Sequence, residues 1–149
     1  MFLKNRVLTT VFSTIFALGF VSTGTFVKAE DAPRKLSCTN KTLQGDYASQ
    51  VSGFQNPGAT PFNLLFLDRF DGNGNIQGIK GATSTGGEVA QDLSDTSTYQ
   101  VNSDCTVTLS FQNQKFKYFG VIVNNGKKVL ILETDSGTNI SGVLEKVNY

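Results

Sequence analysis

Residues 61–83 read PFNLLFLDRFDGNGNIQGIKGAT. Two runs rich in apolar side chains flank Asp71-Gly72-Asn73-Gly74-Asn75. Both Asp-Gly and Asn-Gly tolerate the positive φ that a tight hairpin demands. The stretch therefore predicts two antiparallel strands, near Pro61–Phe70 and Asn75–Thr83. Working outward, the same alternation of apolar segment and turn signal recurs along the chain. It predicts further strands near Gly45–Phe54, Ser94–Asn102, Thr106–Gln112, Phe116–Asn124, Lys127–Thr134 and Asn139–Val147. Asn102-Ser103-Asp104, Asn124-Asn125-Gly126 and Asp135-Ser136-Gly137-Thr138 serve as the later turns. Between the third and fourth strands, Ser84–Leu93 reads as a long loop. No window of eleven residues has convincing helical periodicity.

Short links throughout imply an antiparallel meander. Eight strands in an open sheet leave two unpaired edges, and closure removes both. The expectation is an all-β, eight-stranded antiparallel up-and-down barrel of calycin-like form. Gly53, Gly78, Gly81, Gly120 and Gly142 suit the sharp bends of such a barrel. The alternative is a two-sheet β-sandwich, in which these glycines would mark ordinary bulges.

The chain ahead of the strands divides in two. Lys4 and Arg6 precede the apolar run Val7–Phe26, and Val27-Lys28-Ala29 has the small residues that a signal peptidase reads. Residues 1–29 are therefore expected to be a signal peptide cleaved after Ala29. Residues 30–44 form a polar, aperiodic N-terminal arm, and 45–149 the barrel domain. Without the leader, ten basic side chains face twelve acidic ones, a net charge of −2. The basic residues are scattered, which excludes the phosphate-neutralising stripe of a nucleic-acid binder. An exported, periplasmic or extracellular protein with no membrane association after cleavage is implied.

Two cysteines in an exported chain are expected to pair, Cys38 with Cys105. A meander puts the start of the first strand and the turn after the fourth at the same end of the barrel. The seven residues from Cys38 to Gly45 reach about 23 Å when extended, enough to cross a small barrel's mouth. The arm is thus expected to lie across this end as a lid stapled by the disulfide. The opposite end would carry Gln55–Thr60, Ser84–Leu93, Asn113–Lys115 and Asp135–Thr138, and loops on a rigid scaffold are where binding residues collect.

There is no histidine in the chain, which removes Ser-His and Cys-His nucleophile pairs and most zinc sites. Asp71–Asn75 resembles the start of a calcium loop, but Ile76 and Ala82 stand where that loop needs Gly and Glu. No metal or cofactor is expected. Asp68 shares a strand face with Phe62, Leu64, Phe66 and Phe70. Pointing inward, it would be desolvated and its pKa raised; the alternatives are that it is solvated at a strand end beside Arg69 or pairs with a buried amide, and Glu133 is read as solvated at its strand end. Tyr47, Phe66, Asp68, Tyr99, Phe111 and Tyr118 fall at positions compatible with one interior. They are the candidate ligand-lining residues of an apolar pocket, or the packing of a solid barrel. Leu65 and Leu67, and Leu130 and Leu132, put apolar side chains on the second face of their strands, which suggests a homo-oligomer.

The runs Leu43-Gln-Gly-Asp-Tyr47, Phe70–Gly78, Thr98–Thr106 and Asp135–Gly142 resemble a family of uncharacterised secreted bacterial proteins. In architecture that family is similar to lipocalin-like and allene-oxide-cyclase-like barrels. The resemblance implies a fold and no chemistry, because no catalytic motif of those enzymes matches here. The leading functional expectation is a binding protein for a small apolar or amphipathic ligand. The alternatives are a surface or matrix protein working through its outer face and, less favoured, a carboxylate-based isomerase or hydrolase.

Overall fold

The structure, a computed structural model, describes residues 37–55, 59–112 and 116–149. The signal peptide assigned to residues 1–29 and the first part of the arm lie outside the described residues. Eight strands follow in chain order: β1 (Gln44–Gln55), β2 (Thr60–Asp71), β3 (Asn75–Thr85), β4 (Glu88–Val101), β5 (Thr106–Phe111), β6 (Phe116–Val123), β7 (Lys128–Glu133) and β8 (Asn139–Lys146). Each pairs antiparallel with its neighbour, and β8 pairs with β1, so the sheet is a closed up-and-down barrel. The closing register aligns Gln50 with Val143 and Ser52 with Ser141.

Period-two patterning puts one face of each strand inside. Along β1, Tyr47, Ser49 and Val51 are buried while Ala48, Gln50 and Ser52 are exposed. Along β7, Val129, Ile131 and Glu133 are buried and Leu130 and Leu132 exposed. The Asp71 carboxylate accepts from the backbone N–H groups of Asn73, Gly74 and Asn75 and from the Asn75 amide. Those bonds, with the Asn75 side chain foremost, hold Asp71 down at about 2. This carboxylate ties the β2–β3 hairpin, which is why the calcium-loop likeness ends at the turn.

One expected loop is absent. Ser84–Leu93 is paired strand, with Thr85 opposite Glu88 across a two-residue turn. Gly86 and Gly87 supply φ of +59° and +95° there, the left-handed backbone such hairpins require. In the β3–β4 hairpin tip residues 88–92 are exposed and residues 81–85 half-buried, so no apolar alternation marks it as strand.

The end holding the β2–β3, β4–β5 and β6–β7 turns is closed by the arm. Residues Asn40–Thr42 form a short 3-10 turn ahead of a fully buried Leu43. The Tyr99 hydroxyl, 2.8 Å from the Leu43 carbonyl and 3.0 Å from that of Asn40, donates to this pair of acceptors. The Val101 N–H donates to the Asn40 side chain at 2.8 Å. On the far side, Tyr47 donates to the Gly126 carbonyl at 2.6 Å. Cys38 is bonded to Cys105, with Cα atoms 5.0 Å apart. Above this plug the rings of Tyr47, Phe70 and Tyr99 stack edge to face, with centroids 4.9 and 5.0 Å apart.

Candidate functional site

With one end plugged, the free interior space lies toward the end where β5 finishes and β6 begins, beside Phe111 and Phe116. A cavity of about 40 Å³ lies inside, lined by Val51, Leu64, Leu109, Ile131 and Leu144 among aliphatic groups and by the rings of Phe66, Phe111, Phe116 and Tyr118. Ser49, Asp68 and Asp95 supply its polar surface. That volume holds about three water-sized groups, so most of the barrel is filled by side chains and the free space is small.

Asp68 reaches the cavity because β2 keeps strict alternation from Phe62 through Phe70. It is 4% exposed and accepts a short hydrogen bond from the Ser49 hydroxyl. Burial pushes its carboxyl up to about 6; the Ser49 bond opposes this and the Asp95 charge adds to it. Phe66, one step earlier on the same face, lies flat against Gly78 and Gly81 of β3, where any Cβ would enter its ring. The β3 strand bulges between these two glycines, so the bend and the ring that fills it come as a unit.

Four of the six candidate lining residues meet at this cavity: Phe66, Asp68, Phe111 and Tyr118. Tyr47 and Tyr99 do not line it. They sit in the plugged end with their hydroxyls on backbone carbonyls, and burial pushes the Tyr47 phenol up to about 12.

Glu133 was read as solvated and is instead 6% exposed, inside the barrel directly across from Tyr118. Neither of its carboxylate oxygens has a hydrogen-bond partner among the described residues. Burial raises its pKa, while the nearby Thr138 and Tyr118 hydroxyls favour the charged form without reaching bonding geometry. Burial and the Glu133 charge together raise the Tyr118 phenol. The signal was present in the sequence: Glu133 continues the inward series Val129, Ile131.

The raised Asp68 carboxyl predicts a stability profile. Unfolded, the group releases its proton near 3.8; folded, it holds it to about 6. The proton therefore favours the fold, fully below pH ~4, and this stabilisation of about 3 kcal/mol is lost as pH rises through 6. In urea melts, Asp68→Asn should gain stability over the parent at pH 8 and show no gain at pH 4. Equal differences at both pH values would contradict the buried, proton-holding Asp68.

Among the described residues no group of three His, Cys, Asp or Glu side chains is placed to hold a metal. No helix there is long and apolar enough to cross a membrane. Comparison with protein-family models, with curated proteins and with solved structures found no match.

Proposed function

We propose that this chain is an exported β-barrel protein that binds a small amphipathic molecule in its interior, at the unplugged end. The observation that carries the reading is the cavity itself. Apolar walls converge on a small polar group, the hydrogen-bonded Ser49 and Asp68 together with Asp95, the usual composition of a small-molecule site. The volume of about 40 Å³ limits the ligand: only a compact group enters fully, and a larger body must lie toward Phe111 and Phe116. The disulfide and the plug support export and a rigid one-ended container. The lipocalin-like character suggested by the turn motifs belongs to this proposal as well.

A second reading rests on the outer wall. Phe119, Val121, Leu130 and Leu132 are each 42–51% exposed. They are registered side by side on β6 and β7, with Val143 of β8 next in line. A contiguous apolar patch of this kind marks an interaction surface. The centre of this one carries no charge, so a second copy related by a two-fold axis can cover it without burying an unpaired ion. Native mass spectrometry of protein taken from its source addresses both readings. The account expects a retained small molecule, released on collisional activation; bare protein alone would contradict it. The stoichiometry of the same ions reports on the outer face.

A further inference from the structure

The apolar block of the outer wall, Phe119, Val121, Leu130 and Leu132, is framed by four corners. On the same outward face, Lys117 and Val123 stand at the two ends of β6, and Asn139 and Glu145 at the two ends of β8. Both strands are antiparallel to β7, so they run the same way. Lys117, at the start of one, and Glu145, at the end of the other, are therefore diagonally opposite. Both are exposed. Neither forms an ion pair among the described residues, although Lys128 lies across from Glu145 in the β7–β8 register.

A second copy that covers the block does so about a two-fold axis lying in the plane of contact. With that axis along the strands or straight across them, Lys117 and Glu145 meet only the Asn139 and Val123 corners. With the axis on the diagonal, Lys117 of each copy meets the partner's Glu145, and the ion pair forms twice. The geometry of the barrel favours the same choice. Strands tilt about 40° to a barrel's axis, so two barrels lying side by side with parallel axes cross their facing strands at about 80°. Parallel axes give two rounded walls their broadest contact, and near-orthogonal crossing is one of the two ways in which sheets pack.

We propose that two copies of this chain dimerise through this wall with their strands crossed, Lys117 of each copy pairing with the partner's Glu145 at the edge of the contact. This rests on the outer-wall reading above and specifies how the copies meet. The apolar block supplies the buried centre, and the two ion pairs at its rim set the angle.

The test is sedimentation velocity of the purified protein over concentrations up to about 0.5 mM, which detect even a weak self-association. The parent should dimerise, and Leu130→Asp should be monomeric throughout. Lys117→Glu and Glu145→Lys should each weaken the dimer by about tenfold, because each brings like charges together at two places. The double variant, Lys117→Glu with Glu145→Lys, should recover the parent's affinity to within about threefold. If Leu130→Asp dissociates the dimer but the double variant stays as weak as the single ones, the outer wall is an interface and the crossed arrangement is overturned. If the parent is monomeric at every concentration, or its dimer survives Leu130→Asp, the outer-wall reading fails and takes the inference with it. All three substituted side chains are exposed, and circular dichroism establishes that each variant is folded before its sedimentation is read.

Discussion

Replacing both cysteines, Cys38→Ser with Cys105→Ser, is expected to lower stability by about 4 kcal/mol. The bridge closes a loop with a sequence separation of 67, and the chain-entropy relation gives that magnitude for the unfolded chain's gain in freedom. Small domains have only about 5–15 kcal/mol in total, so the variant should fold at 20 °C with a midpoint roughly 15 °C lower. The loss is concentrated at one end. Freed of the staple, the arm remains held by the bonds from Tyr99 and Val101 to Asn40 and Leu43. Amides near Cys38 and Cys105 should therefore exchange with solvent faster, while those of β6 and β7 change little. A thermal melt of the reduced protein matching the oxidised one would show that the bridge contributes nothing to stability.

The second large effect is expected at the seam. Gly142 of β8 faces Val51 of β1, and a Cβ built there comes within 2.8 Å of the Val51 Cα and closer still to the Gln50 carbonyl oxygen. These are backbone atoms and cannot step aside as a side-chain end would. Gly142→Val forces β1 and β8 apart, at a loss of about 3 kcal/mol or more. It also exposes two strand edges that pair with other chains. The variant should melt at least 10 °C lower and form soluble aggregates on size-exclusion chromatography. Ser141→Val, one residue away on the exposed face, should change stability by no more than about 0.5 kcal/mol. Equal behaviour of the two variants would mean that the seam is not packed as described.

Much of this architecture is legible in the sequence for a simple reason. Turn residues carry their own backbone requirement, so Asp71–Asn75 announces a hairpin wherever it stands, and a run of hairpins has few ways to hide its edges. The plug was legible as well, because a meander fixes which turn shares an end with Cys38. Failures came where the deciding quantity was not local. Ser84–Leu93 is held in strands by pairing alone, with few apolar side chains to signal it. Glu133 was misjudged because its place near a strand end suggested solvent, whereas the inward series of β7 keeps it inside. The fate of Tyr99 followed from the arm's carbonyls and that of Tyr47 from the Gly126 carbonyl in the β6–β7 turn, which no strand pattern reveals. How full the barrel is depends on the joint packing of eight strands, which no single strand's pattern fixes.

The interior cavity and the buried Asp68 that lines it both presuppose that the last strand returns to the first. Cross-strand nuclear Overhauser contacts in solution test this most directly. The account predicts close backbone-proton contacts joining Gln50 to Val143 and Ser52 to Ser141, with slow amide exchange along both strands. Absence of those contacts, with fast-exchanging edge amides on both strands, would contradict a closed barrel and leave the proposed site without walls.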